Sequence, residues 1–326
     1  MTVTSTDVAR AAGVSRATVS YVLNDTPGQT VSPATRAAVR RAADELGYRP
    51  SVLARSLKRG RSDSVLFPLP GLQLVHPLTC LVDACTAALA PLGLSLVRDF
   101  GRYDDPADQL DSWTRLAPAA VIDVLLHHDD PVLPGLRATG IPVLSAALAT
   151  DSGWESSGDV FARQARLTQI RYLLGKGHRR ITAVAPRVLP VDPRAERRLL
   201  ADVRRIARRS GAMLNIERAE LEDVHQLVSG WTTAPDAVAA HNDDYAIAIM
   251  TALTQRGLRV PDDVAVMGID DLPLGRVVSP ALTTIAGDFG EFAAALARIV
   301  DSILRGSAGG EALPVPSHHT IVRASA

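Results

Sequence analysis

Hydrophobic and polar positions change their period twice along this chain. In the first 47 residues the apolar positions recur at helical spacing. Val8, Ala9 and Ala12 share one face, opened by the capping pair Thr4-x-x-Asp7, and Gly13 permits a tight turn. Ser15 then caps a second predicted helix. Thr18, Val19, Val22 and Leu23 lie on one of its faces, and Arg16, Ala17, Ser20, Tyr21 and Asn24 on the other. Ser32-Pro33 opens a third helix, with Val39, Ala42, Ala43 and Leu46 as its buried face and Gly47 as its stop.

Residues 50–60 read as a link, in which Val52, Leu53, Ala54 and Leu57 can form one short amphipathic helix. Alone it falls below the roughly 12–15 residues an isolated helix needs in water, so it should order only against a partner. From about residue 64 apolar runs alternate with helical stretches. The predicted strands are 65–69, 94–97, 120–126, 142–144, 180–185, 237–240 and 264–269. The predicted helices are 78–90, 106–116, 160–176, 194–210, 244–256 and 290–304. Such alternation implies parallel sheets covered by helices on both faces, and its length implies two lobes.

The 326 residues carry no net charge, but the balance is uneven. Residues 1–62 are net +6 and the remainder net −6, a basic head suited to phosphate on an acidic body. No apolar run reaches the roughly 18–20 residues of a membrane span. The N-terminus lacks a basic stretch followed by an apolar one, and the two cysteines, Cys80 and Cys85, form no disulfide framework. The expectation is a cytoplasmic protein with reduced thiols.

The blocks DVARAAGVSRATVSYVLND (7–25), VSPATRAAVRRAADELGYRPSVLARSL (31–57), LGKGHRRI (174–181), GLRVPDDVAVMGIDDLPL (257–274) and SPALTTI (279–285) resemble the LacI/GalR family of bacterial transcriptional regulators. The resemblance implies an N-terminal all-α helix-turn-helix head over residues 1–49 and a hinge helix over 50–62. It implies an α/β periplasmic-binding-protein-like core of two Rossmann-like lobes over 63–326. The N-lobe would take about 63–157 and 288–312, the C-lobe about 158–287 and 313–326. It further implies a homodimer on a pseudo-palindromic DNA operator, with a small-molecule effector in the cleft between lobes. No leucine heptad follows the last predicted strand, so a dimer is expected rather than a tail-mediated tetramer.

An α-helix fits the major groove, where each base pair shows its own donor and acceptor pattern. Arg16 can grip guanine with two hydrogen bonds, Ala17 can only pack, and Tyr21 can stack or hydrogen-bond. By the resemblance these three set specificity, while Thr4, Ser15, Ser20 and Asn24 match phosphate-contacting or scaffold positions. Leu57 matches a wedge leucine that enters the minor groove, and Ala54 its small neighbour.

Effector residues are expected at the carboxyl ends of the C-lobe strands. These are Asp270 and Asn242, with Phe289 on the crossover, His76 opening the first core helix, and Arg197. The resemblance departs here. Leu199 stands where the family has a ligand-clamping arginine, with Arg194 or Arg197 as substitutes, and Ser145, Ala146 and Ala147 stand where it has an aspartate. A cleft without those charges suits a polyol poorly, so the effector is either not a simple sugar or absent. The His127-His128-Asp129-Asp130 run reads as a polar loop rather than a metal site, and His318-His319 as the start of a strand. No HExxH, GxSxG or phosphate-binding loop is present, so no enzyme and no cofactor are expected. A ligand-binding module without DNA function is the remaining class, and the intact head argues against it. The helices 78–89 and 245–253, apolar nearly all round, are either fully buried or form an interface, and the resemblance places both at the dimer interface.

Overall fold

The computed structural model describes residues 3–24, 28, 30–49, 61–69, 76–123, 130–145, 147–150, 153–188, 193–307 and 313–326. The chain divides into two compact units, Met1–Asp63 and Ser64–Ala326.

The first unit holds α1 (Ser5–Ala12), α2 (Arg16–Leu23) and α3 (Pro33–Glu45). Local chemistry accounts for each boundary. The Asp7 carboxylate accepts from the Thr4 backbone N–H at 3.0 Å and from its hydroxyl at 2.7 Å. Gly13 turns the chain at φ +67°, a conformation that favours glycine. Ser15 accepts from Thr18 N–H at 3.0 Å, and Ser32 from Thr35 N–H at 3.1 Å. Val8, Ala9, Val19, Val22, Val39, Ala42 and Ala43 form the core. Leu46, expected in it, is 37% exposed. The helix stops one residue before it, Gly47 reverses the chain at φ +64°, and Tyr48 packs on the core instead.

The second unit contains two parallel four-stranded sheets. The first has the order β2 (Ser95–Asp99), β1 (Ser64–Pro68), β3 (Ala120–Asp123), β4 (Val143–Ser145). Its central strands β1 and β3 are buried on both faces, so neighbours alternate between cores, while the edge strand β2 is half-exposed. Val65 and Phe67 pack with α4 (His76–Leu89) and α11 (Gly290–Leu304). Leu66 and Val121 pack with Trp113 of α5 (Pro106–Arg115) and with α6 (Val132–Ala138). The second sheet runs β8 (Met213–Arg218), β7 (Arg180–Ala185), β9 (Ala237–Ala240), β10 (Ala265–Met267). Ala237 and Ala239 of β9 pack with α7 (Ser157–Gly175) and α8 (Pro193–Arg209). Val238 and Ala240 pack with α9 (Val224–Ser229) and α10 (Asp243–Gln255). A hairpin, β5 (Ala147–Thr150) with β6 (Gly153–Ser156), follows the first sheet. An antiparallel pair, β11 (Thr284–Asp288) with β12 (Ser317–Ile321), flanks α11. The C-terminus is stitched to β10, where Ser325 Oγ donates to the Val266 carbonyl at 2.6 Å and accepts from Thr283 N–H at 2.9 Å.

Several expectations need correction. The predicted strand 120–126 ends at Asp123 among the described residues, and 124–129 lie outside them, with His127, His128 and Asp129. Asp130 serves a turn, accepting from Val132 N–H at 3.0 Å ahead of α6. On α10, Tyr245, Ala246, Ile249, Met250, Ala252 and Leu253 are buried within the chain itself, and Ile247 and Ala248 partly so. On α4, burial takes Leu81, Val82, Cys85 and Leu89, and Asp83, Thr86 and Ala87 stay exposed.

Candidate functional site

On the first unit, α2 presents Arg16 and Ala17 exposed, with Tyr21 one turn beyond Ala17 and half-buried. Arg16 forms no hydrogen bond or ion pair among the described residues, so its guanidinium is available to a ligand. The flanking polar side chains are engaged in holding the helix. Ser15 Oγ lies 2.9 Å from Thr18 Oγ1, and Asn24 Nδ2 donates to the Ser20 carbonyl at 2.9 Å and its hydroxyl at 3.1 Å. Thr4 is tied to Asp7, whose carboxyl those hydrogen bonds hold below the usual range. Thr4, Ser15, Ser20 and Asn24 thus each hold the local helix geometry. Ala54 and Leu57 lie outside the described residues.

In the second unit, a cavity of about 100 Å³ opens between α7, α8 and the carboxyl ends of β7, β8 and β9. Its walls are mostly aliphatic, from Ile170, Ala183, Leu199, Leu200, Val203 and Ile216. Three arginines line it, each held differently. Arg218 pairs with Glu196. Arg163 pairs with Glu155 at 3.0 Å and Asp202 at 3.3 Å, and Arg198 joins Glu155 at 2.9 Å. Arg166 is held by neutral acceptors. Nη1 donates to Gln169 Oε1 and the Ala240 carbonyl, both at 2.5 Å, and Nη2 to the His241 carbonyl at 2.7 Å. Burial lowers its guanidinium to about 10, against the opposing pull of Asp270. Burial, with Arg166 and Arg218 nearby, drives His241 down to about 3, so its imidazole is neutral. Gln169, fully buried, donates to the carbonyls of Ala240, Met267 and Gly268 and fixes the strand ends beneath the cavity.

Beside this cavity, the carboxyl end of β10 gathers three aspartates. Asp243, fully buried, accepts from Thr284 Oγ1 at 2.6 Å and Leu272 N–H at 2.7 Å, and burial raises it to about 6. Asp270 takes φ +116°, and burial together with Asp243 raises it to about 8. Asp271 feels burial too, but hydrogen bonds from Arg323 at 2.5 Å and Arg276 at 2.7 Å outweigh it and lower its pKa.

The five residues expected to hold an effector do not line the cavity. Arg197 is exposed on α8, because that helix runs unbroken from Pro193 and turns Leu199 inward instead. Asn242 caps α10, its Oδ1 accepting from Tyr245 N–H at 3.1 Å. Phe289 is buried against Phe161, ring centres 5.6 Å apart, in one core with Phe292. His76 begins α4, with Nε2 3.6 Å from Cys80 Sγ. Asp270 interacts with Arg166 through charge, with no hydrogen bond between them. Arg163 and Arg166 on α7 were missed. Their signal is two arginines and Gln169 within a helix whose other inward residues are Ala165, Leu167, Ile170 and Leu173.

Residues 4–51 match the family described as bacterial regulatory proteins, lacI family, and residues 170–326 match a periplasmic binding protein-like domain. The HTH-type transcriptional regulator CelR of Thermobifida fusca is 31% identical over 98% of this chain and 96% of its own length. The ribose operon repressor of Escherichia coli (strain K12) is 31% identical over 86% of this chain and 87% of its own. The crystal structure of the lac repressor dimer bound to operator and the anti-inducer ONPF shares the fold, with a TM-score of 0.75 at 24% identity, covering 100% of this chain and 99% of that one. These relatives are transcriptional regulators, not enzymes. With a helix-turn-helix head, two parallel-sheet lobes and full-length relatives of this kind, the chain belongs to the LacI family of bacterial transcriptional regulators.

Proposed function

We propose that this chain represses transcription by binding a pseudo-palindromic operator as a homodimer, each α2 lying in the major groove. The observation that carries the reading is α2 itself. Arg16 and Ala17 are exposed near its N-terminus, Tyr21 follows one turn later, and the engaged caps Ser15 and Asn24 leave those three to read bases. The net +6 of residues 1–62 supplies phosphate attraction, and the acidic remainder stands off the DNA. In the same reading Leu57, beside the small Ala54, wedges into the minor groove at the dyad. The second unit binds a small-molecule effector that shifts the equilibrium between operator-bound and released states. Two-fold symmetry of the dimer matches that of the site.

The test is fluorescence anisotropy of the full chain on an operator selected from random duplexes. A bidentate arginine–guanine contact is worth about 1–3 kcal/mol, so Arg16→Ala should weaken operator binding roughly 5- to 150-fold and relax selectivity at one position per half-site. Leu57→Ala should cost more than about tenfold on operator and spare nonspecific binding. Wild-type affinity should fall by orders of magnitude from about 50 to 200 mM salt. Equal affinity of the wild type for operator and random duplex, or no effect of Arg16→Ala, overturns the reading.

A further inference from the structure

We infer that the effector is a small amphiphilic anion, a branched aliphatic carboxylate in chemical class, whose apolar body fills the slot between α7, α8 and β7 and whose carboxylate meets Arg166. This rests on the reading of the second unit as effector-binding and names the ligand class for it.

The shape comes first. The slot offers about 100 Å³, smaller than the roughly 150 Å³ apolar cavity that holds a benzene ring, and is open at one side, so the part of a ligand that enters it is a body of a few carbons. Ile170, Ala183, Leu199, Val203 and Ile216 offer that body methyl groups and no hydrogen bonds. A sugar placed against that aliphatic wall would find no hydrogen-bond partner for the hydroxyls that face it.

Charge then selects the head group. The charged lining side chains are Arg163, Arg166, Arg218, Asp159 and Glu196, with His241 neutral. Glu196 is satisfied by Arg218, while Arg163 is engaged by Glu155 and Asp202. Arg166 alone among the three has no carboxylate in hydrogen-bond contact. Its three hydrogen bonds go to an amide oxygen and two backbone carbonyls, which leaves two of the five guanidinium donors for a ligand. A carboxylate matches a guanidinium fork in geometry and supplies the charge that neutral acceptors lack. Arg166 is also anchored to the carbonyl ends of β9 through Ala240 and His241, so a ligand held by it bears on the strand ends where the three aspartates gather.

The experiment is a thermal-shift and calorimetric titration of the full chain with isobutyrate, isovalerate and isocaproate, each beside its uncharged amide, with ribose as a polyol probe. The expected result is saturable binding of at least one acid, about tenfold or more tighter than its amide, since a charge-assisted hydrogen bond is roughly twice as strong as a neutral one. Ala183→Leu, which fills the slot and leaves Arg166 in place, should abolish that binding; Arg166→Gln should erase the preference for acid over amide. If Arg166→Gln does not fold, Ala183→Leu and the acid–amide ratio still decide the matter. Equal binding of acid and amide, binding of ribose in preference to the acids, retention of acid binding by Ala183→Leu, or no binding at millimolar concentration overturns the inference. Operator anisotropy on the same preparation separates the two readings. Intact operator binding without acid binding sinks the ligand class alone, whereas acid binding without operator binding sinks the DNA reading alone.

Discussion

Replacing Gly268 by alanine should unfold the second unit far more readily than an alanine at a strand end ordinarily would. Gly268 follows β10, and a Cβ built there meets Asp243 Oδ1 at 2.0 Å, about 1.5 Å inside ordinary contact. The backbone conformation is not the obstacle, because Gly268 is not among the positive-φ glycines. The obstacle is that the carboxylate cannot withdraw. Asp243 is 0% exposed and receives Thr284 Oγ1 at 2.6 Å and Leu272 N–H at 2.7 Å. Hydrogen bonds to a charged group are worth about 1.5–3 kcal/mol each, and Thr284 is itself fully buried, so its hydroxyl would lose a partner without gaining water. Displacing both bonds should cost roughly 3–5 kcal/mol, a large share of an ordinary domain's stability. At about 2–4 °C per kcal/mol for a unit of this size, the melting temperature should fall by roughly 6–20 °C in calorimetry at pH 7.5. Mechanism is isolated by a cycle. Asp243→Ala removes the atom that clashes, so Gly268→Ala added to it should cost less than about 1 kcal/mol, leaving a large coupling energy. A single-variant cost below about 1 kcal/mol, or costs that simply add, would refute the reasoning.

Two further predictions concern the head and the aspartate cluster. Ser15→Ala removes the cap on Thr18 N–H and should destabilise α2 by about 1 kcal/mol, read as roughly fivefold faster hydrogen exchange of the α2 amides; unchanged exchange would mean the cap is idle. Asp270 is raised from 3.8 to about 8, so the folded chain keeps a proton that the unfolded chain releases. Its contribution to stability is therefore complete below about pH 4 and is lost as pH rises through about 8. Asp270→Asn should flatten the decline in melting temperature between pH 7 and 9, while Asp243, raised to about 6, continues to titrate below that window. A variant that melts with the wild-type pH profile would show that Asp270 does not carry the linkage.

Which parts of the fold were legible follows from how local their causes are. The head's helices are bounded by caps a few residues away, Ser15 on Thr18 and Ser32 on Thr35, so sequence spacing is enough to find them. The central strands β7 and β9 begin and end where their apolar runs do, because both faces are buried. The edge strand β8 was missed: Met213 and Asn215 are exposed while Leu214 and Ile216 pack on the core, so no continuous apolar run marks it. The strand start read at His318-His319 is β12 (Ser317–Ile321), but its pairing with β11 joins segments about 30 residues apart, with α11 between them, and has no local signal. Leu46 shows the opposite error. Helical periodicity assigned it to the core, but Gly47 ends the helix too early for the pattern to continue.

The cavity was harder to foresee for a related reason. Searching α8 for a basic residue to replace Leu199 presumes that the charge must come from the same helix, and the unbroken turn of α8 sends Arg197 to solvent. Arg166 instead reaches the strand ends from α7, and what makes that possible is Gln169, one turn along and fully buried. A glutamine cannot sit in an aliphatic stripe between Ala165 and Leu173 unless polar groups await it, and the free carbonyls at a sheet's carboxyl edge are such groups. Gln169 spans the ends of β9 and β10 through Ala240, Met267 and Gly268, and Arg166 shares the Ala240 carbonyl with it. The two side chains thus bind one set of backbone acceptors, which fixes the guanidinium in the wall of a mostly aliphatic slot. A polar pair spaced three residues apart inside a buried helical stripe is therefore the sequence signal for this site, and it is stronger than any single arginine on an exposed face.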